Sequence, residues 1–324
     1  MGTFETEQIG VFIAHSSPLE PVPPDLPPDL HALVGLRLPR VPRAVLFDIY
    51  GTLVVSGSGE VGSAVDEPSR GEPSLRDATG PFVRAFEIAS GASLPAAAEE
   101  TARRTYHAAV AASHRASRDD GVSHPEVDIT RIWRTVLDEL ARAGLEPAPV
   151  DVEMLAIAYE TVSNPAWPMP GARRLLARLR QSAIALGIVS NAQFYTPRML
   201  RALFGATPAQ LGFDPKLIAY SYLAGRAKPD ATLFDAPLAE LQRRGIDSQR
   251  VAYVGNDMRN DIAPARSKGC MTVLFAGDRR SLRLRRDTSE LDALHPDAVV
   301  TSLDAVAAVC GLDHGCGAAI RQGE

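Results

Sequence analysis

The stretch Ala44-Val45-Leu46-Phe47-Asp48-Ile49-Tyr50-Gly51-Thr52-Leu53 constrains the fold of this chain more than any other. Ala44 to Phe47 is short, wholly apolar and β-prone, the pattern of a strand buried on both faces of a parallel sheet. The apolar run stops at Asp48 and the chain breaks at Gly51. In open α/β sheets ligands bind at the carboxyl ends of the strands, which is where this places Asp48. Alone, D-x-Y-G-T is a plain strand-to-turn transition. Three later segments fit the same scheme: 184–191, Lys228-Pro229-Asp230 and 251–261.

A chain of 324 residues is long enough for about two domains. An apolar content of 45% with 23% charged residues is that of a soluble globular protein. The net charge of −5 gives no general pull toward nucleic acid or anionic membrane, and no apolar run approaches the ~18 residues of a span. Cys270, Cys310 and Cys316 lack C-x-x-C spacing. They argue against a disulfide framework or structural zinc and suit a reducing, cytoplasmic compartment. The seven histidines have no metal-like spacing.

Prolines at 18, 21, 23, 24, 27, 28, 39 and 42 read residues 1–42 as an extended arm. After the first strand, Val54 to Val61 around Ser-Gly-Ser-Gly reads as a hairpin. From 64 to 165 the periodicity is helical. It is clearest where Ile129, Ile132, Trp133, Val136, Leu137 and Leu140 share one face. These helices are expected to form a small domain inserted into a sheet domain at 43–63 and 166–312, with 313–324 as a tail. Beyond 166, strand and helix patterns alternate: strands at 184–189, 251–254, 272–275 and 298–300, and helices at 172–180, 196–204, 230–244, 262–268 and 302–309. The expected fold class is α/β, a three-layer α/β/α Rossmann-like core around a parallel sheet.

The second core strand ends in Ser190-Asn191, which brings a hydroxyl and backbone N–H donors to the edge that holds Asp48. Such donors suit the oxygens of a tetrahedral anion. Lys228 precedes Pro229 and is therefore biased toward extended backbone. A further strand ends in Gly255-Asn256-Asp257-Met258-Arg259-Asn260-Asp261, with Asp257 facing the sheet edge and Asp261 near the helix start. If Asp48, Asp257 and Asp261 converge, three negative charges face Lys228 and raise one another's pKa. Mg²⁺ would relieve this, being a hard ion that takes one or two carboxylates plus water and phosphate. Asp48 is then the candidate nucleophile. Arg279 to Arg286 reads as a solvated, mobile loop rather than a binding element.

These four segments, in this order, resemble the motifs of the haloacid dehalogenase (HAD) superfamily of hydrolases, and the helical insertion resembles the type 1 cap of its subfamily I. The resemblance implies Asp48 as nucleophile, Thr52 and Ser190 as its hydroxyl partners with Asn191 beside them, and Lys228 as the motif III lysine. It implies Mg²⁺ bound by Asp48, the Tyr50 backbone carbonyl and Asp257, supported by Asn256, Asn260 and Asp261. Tyr50 departs from the family's phosphatases, which carry an aspartate there as general acid and base. D-x-Y-G-T is instead the form of the L-2-haloacid dehalogenases, which act without metal. Those enzymes have a serine-asparagine stretch where this chain has Asn256-Asp257, and a tyrosine where it has Phe234. The expectation is a Mg²⁺-dependent phosphatase acting through an aspartyl-phosphate on a small anionic substrate. The alternatives are a 2-haloacid dehalogenase and a catalytically impaired binding protein. A phenol at Tyr50 is poorly matched to protonating an alkoxide, so good leaving groups are expected to be favoured.

Overall fold

The computed structural model describes residues 2–14, 18–58, 80–145, 147–286, 291 and 293–312. In chain order the elements begin with α1 (Gly2–Ala14), α2 (Pro28–His31), β1 (Ala44–Phe47) and β2 (Val54–Ser56). Four helices follow: α3 (Pro81–Ser90), α4 (Ala97–Asp119), α5 (Ile129–Arg142) and α6 (Val152–Ser163). After them come β3 (Ala166–Pro168), α7 (Ala172–Gln181), β4 (Ala185–Ser190), α8 (Thr196–Phe204), β5 (Phe213–Tyr220), α9 (Ser221–Ala224) and α10 (Asp235–Arg243). The described chain ends with β6 (Val251–Gly255), α11 (Ala263–Ser267), β7 (Met271–Phe275), β8 (Ala298–Val300) and α12 (Asp304–Val309).

Six strands form one parallel sheet in the order β5-β4-β1-β6-β7-β8. Val45 and Phe47 pack into the apolar layer on one face, and Ala44 and Leu46 into the layer on the other. That burial on both faces is what the apolar run of β1 encodes. The chain leaves β1 toward β4 and β5, then returns to the other side for β6 to β8. The order therefore reverses at β1, the topological switch point where open sheets place their ligands.

β5 has no counterpart in the sequence reading. Asp214, Pro215 and Lys216 interrupt its apolar pattern, which an edge strand tolerates because one side needs no ladder bond. Of the hairpin expected at Val54–Val61, only the first half is described. β2 pairs antiparallel with β3, Val55 opposite Trp167, so the strand closes the base of the helical insertion. Residues 59–61 lie outside the described residues, as does the expected tail at 313–324. The expectation that the N-terminal arm is wholly extended is overturned by α1. Residues 2–14 precede the first proline, and Ile9, Phe12 and Ile13 are buried in the main apolar layer.

Within the insertion, α3 to α6 pack through aromatic rings. Phe82, Tyr106, Trp133 and Tyr159 meet with ring centroids 4.6–5.7 Å apart. The clearest helical stripe in the sequence, in α5, puts Ile129, Ile132, Trp133, Val136 and Leu140 inward. Asp128 caps this helix through bonds from the Thr130 and Arg131 amides, which satisfies two otherwise unpaired donors.

Candidate active site

Asp48 follows β1 directly, with its amide donating to the carbonyl of Val254 (2.9 Å), so its backbone is fixed by the neighbouring strand β6. The turn after it needs glycine. Gly51 has φ +79°, and a Cβ there would lie 2.5 Å from Ser281 Cβ. Thr52 donates its hydroxyl to Asn256 Oδ1 (2.9 Å), and Asn256 Nδ2 donates to the Ser281 carbonyl (2.6 Å). These bonds tie the turn after β1 to the turn after β6.

Ser190 ends β4 and donates to Asp48 Oδ1 at 2.9 Å. Lys228 Nζ donates to Asp48 Oδ1 (2.7 Å), Asp261 Oδ1 (2.6 Å) and the Tyr253 hydroxyl (2.8 Å), which uses all three of its protons. Tyr253 can then donate to the Val189 carbonyl at 2.7 Å. Asn191 holds the lysine's backbone from both sides, accepting from the Lys228 amide (2.7 Å) and donating to its carbonyl (3.2 Å). Asp261 Oδ2 accepts from the Asn256 and Asp257 amides, each at 2.9 Å. Its approach depends on Gly255, where a Cβ would lie 2.5 Å from Asp261 Cγ.

Burial pushes Asp48 up to about 6 against the pull of the Lys228 cation and Ser190, with Asp261 adding to the rise. Lys228 is raised, because two adjacent carboxylates outweigh the burial that opposes its charge. Both groups are therefore charged at neutral pH. Asp48 Oδ2 takes no hydrogen bond from a described residue, and so remains the oxygen available to a ligand.

The expectation of three carboxylates facing one cation is corrected to three carboxylates facing two. Arg285 donates from Nη2 to Asp257 Oδ2 at 2.9 Å, where Asn260 Nδ2 also donates at 3.1 Å. Asp257 Oδ1 accepts from the Arg259 and Asn260 amides. Burial raises the Asp257 pKa despite the guanidinium. Arg285 is also the one non-glycine residue with positive φ (52°) among the described residues. The loop that carries it is no solvated segment. Arg283 bonds by its amide to the Asn256 carbonyl (3.0 Å) and by its carbonyl to the Met258 amide (2.9 Å).

Among the described residues no three His, Cys, Asp or Glu side chains are grouped to hold a metal ion. The expected Mg²⁺ set contains only two carboxylates, Asp48 and Asp257, and its third donor is the Tyr50 carbonyl. That carbonyl, like Asp48 Oδ2, accepts no bond from a described residue. Donors of this kind fit a small hard cation, with Arg285 as its competitor at Asp257. The Tyr50 phenol makes no hydrogen bond to Asp48 or Asp257 among the described residues. Its hydroxyl lies 3.1 Å from Thr196 Oγ1 at the start of α8, and burial raises its pKa well above the usual value.

Tyr253 and Arg285 were not singled out in the sequence. Tyr253 is the one hydroxyl in an otherwise apolar strand, and a buried phenol needs a partner, so it had a signal. Nothing distinguishes Arg285 among the arginines of its loop.

A family model described as haloacid dehalogenase-like hydrolase matches residues 42–269, more than half of the chain. The chain belongs to the haloacid dehalogenase-like hydrolases. Over 132 residues it is 29% identical to a ribulose-1,5-bisphosphate 5-phosphatase of Halopiger xanaduensis. That match covers 40% of this chain and 51% of the relative, so the chain spans about half the relative's length. Among solved structures it is similar to a 2-haloacid dehalogenase from Pseudomonas syringae pv. Tomato DC3000, at 19% identity and a TM-score of 0.47 over 83% of this chain and 98% of that one. A HAD phosphatase from Thermococcus onnurineus is 18% identical with a TM-score of 0.42, over 83% and 98% of the two chains. Neither likeness selects a reaction.

Proposed function

We propose that this chain is a Mg²⁺-dependent phosphatase acting on a small phosphorylated substrate through an aspartyl-phosphate at Asp48, with the helical insertion as a cap over the sheet edge. The observation that carries this reading is the buried Asp257 carboxylate at the turn after β6, the strand beside β1. Displacement of halide by Asp48 has no use for it. The similarity to a ribulose-1,5-bisphosphate 5-phosphatase supports the same choice.

In this mechanism Ser190 and Lys228 fix the Asp48 carboxylate in place, and one of its oxygens attacks phosphorus as the bond to the leaving oxygen breaks. Lys228 also balances Asp261, so the nucleophile stays ionised inside a buried site. A Mg²⁺ ion held by Asp48, Asp257 and the Tyr50 carbonyl would neutralise the phosphoryl oxygens and align them with the nucleophile. Arg285 must release Asp257 for that binding. Water then attacks the phosphorus of the acyl phosphate, releasing phosphate and regenerating the Asp48 carboxylate. The Tyr50 hydroxyl is engaged with Thr196 Oγ1 and its pKa is raised by burial, so the departing oxygen draws no help from it. Aryl and acyl phosphates are therefore expected to turn over faster than sugar phosphates.

Tyr50 and the Arg285–Asp257 pair favour a second reading, metal-free dehalogenation. One panel separates the two: aryl phosphate, sugar phosphate and 2-haloacid, each assayed with Mg²⁺ and with EDTA. Phosphate release that EDTA abolishes, Mg²⁺ restores and Asp48→Asn removes is the expected result. Halide release indifferent to EDTA would transfer the assignment to dehalogenation.

A further inference from the structure

A cleft of about 190 Å³ lies between the helical insertion and the sheet edge. On its sheet side are Lys228, which bonds Asp48, and Asn191, which holds the Lys228 backbone. The insertion side presents His114 and Arg118, four residues apart on α4 and so on one face of that helix. His124, in the loop just after α4, continues the same wall.

This wall is fixed relative to the site. The His124 carbonyl accepts from the Ala227 amide (2.8 Å), the Glu126 amide donates to the Gly225 carbonyl (3.2 Å), and Pro125 bridges to Arg226. The loop therefore docks on the three residues that lead into Lys228. A basic wall at fixed distance from a reacting centre selects what can reach that centre at both ends.

The acidic groups of the cleft are engaged elsewhere. Glu126 takes bonds from Gln193 Nε2 (2.8 Å) and its neighbouring amide of Val127 (3.0 Å) on one oxygen, and from Ser221 Oγ (2.6 Å) on the other. Asp230 accepts from Thr232 and pairs with Arg226. Arg118 makes no ion pair with a described carboxylate. Arg118 is therefore the cation this wall offers, with the His114 and His124 imidazoles beside it. Burial, and then the neighbouring Arg259 and Arg118 against the opposing Asp230, hold the His124 pKa below the usual value.

We propose that His114, Arg118 and His124 form a second anion subsite, so that the substrate carries a further phosphate or carboxylate besides the phosphoryl group presented to Asp48. The inference rests on the phosphatase reading for the identity of the reacting group, but the subsite can be tested by binding alone. The substrate class is then a small phosphate ester bearing a second anionic group, with its two charged ends on opposite sides of the cleft.

Two measurements decide it. In the first, kcat/KM is compared for phenyl phosphate, 4-carboxyphenyl phosphate and 1,4-phenylene bisphosphate, in the wild type and in Arg118→Ala. The expected result is a preference of about tenfold for one or both esters bearing a second anionic group, expressed in KM, that collapses in the variant. Which of the two is preferred identifies the second group as carboxylate or phosphate. In the second, phenylphosphonate and 1,4-phenylene bisphosphonate, which are not hydrolysed, are titrated calorimetrically into both proteins in Mg²⁺. Tighter binding of the bisphosphonate that Arg118→Ala loses supports the subsite even if no phosphate ester is cleaved. Hydrolysis that treats esters with and without the second anionic group alike, or equal binding of the two phosphonates to the wild type, overturns the subsite and leaves the phosphatase reading standing.

Discussion

The sheet edge and the helical insertion are built on opposite principles. At the edge, buried charges are matched atom for atom: Lys228 spends every proton, Asp261 uses both oxygens, and the glycines at 51 and 255 make room for the side chains beside them. In the insertion, four aromatic rings fill a shared interior, and the buried His107 Nδ1 and Trp133 Nε1 have no hydrogen-bond partner among the described residues. The first arrangement fixes one geometry, because any unpaired member is costly. The second asks only for apolar volume, so many sequences satisfy it. Chemistry that depends on fixed distances needs surroundings of the first kind.

The largest expected effect comes from breaking the match at the edge. Lys228→Met should destabilise the fold by about 3–5 kcal/mol and remove turnover, because Asp48 and Asp261 are left as buried, uncompensated charges. Lys228→Arg should also fail to restore activity, since a planar guanidinium cannot direct three bonds as an ammonium does. Calorimetric unfolding of the two variants checks this. A Lys228→Met melting temperature equal to the wild type would mean that the edge is not specified by charge.

Trp133→Ala tests the other side of the comparison. Removing the ring should cost about 3–5 kcal/mol in the unfolding of the insertion. Trp133→Phe, which keeps an aromatic filling, should recover most of it. If Phe were as damaging as Ala, the insertion would depend on fixed geometry after all, and the contrast with the edge would collapse.

The smallest effect sits where the two regions meet. Glu160 of α6 is 1% exposed and accepts from the Tyr195 hydroxyl before α8 and from Asn164 Nδ2 after α6, each at 2.8 Å. Burial raises its pKa above the usual carboxylate value. A carboxyl raised in the folded state holds a proton that the unfolded chain gives up. Its contribution therefore falls as pH climbs from 4.5 to the folded-state value and stays lost above it. Glu160→Gln should remove that slope, so its melting temperature gains on the wild type as pH rises. A constant difference between the two proteins across pH 4 to 8 would show that Glu160 is not the source.

What was legible in the sequence follows the same division. β1, β4 and β6 to β8 are buried on both faces or end in a chemistry-bearing turn, so apolar runs and punctuation suffice to read them. Asp48, Ser190, Lys228, Asp257 and Asp261 were legible as a set because each stands at such a strand or turn boundary. β5 escaped because an edge strand can carry Asp214, Pro215 and Lys216 in its middle. α1 escaped because the proline density of 18–42 was extended backward over a proline-free segment. Arg285 reaches Asp257 only through the path of its loop, which no local pattern encodes.

That loop has its own foundations at the other end of the chain. The Arg279 amide donates to the Val22 carbonyl, Arg280 donates to the Glu20 carbonyl, the Val22 amide donates to Asp278, and Arg286 pairs with Asp29. The proline-rich segment thus works as a brace that tells Arg285 where to stand. A cloning boundary moved past residue 29, or a fusion partner crowding that segment, would alter the wall beside Asp257 while leaving every motif of the hydrolase in place.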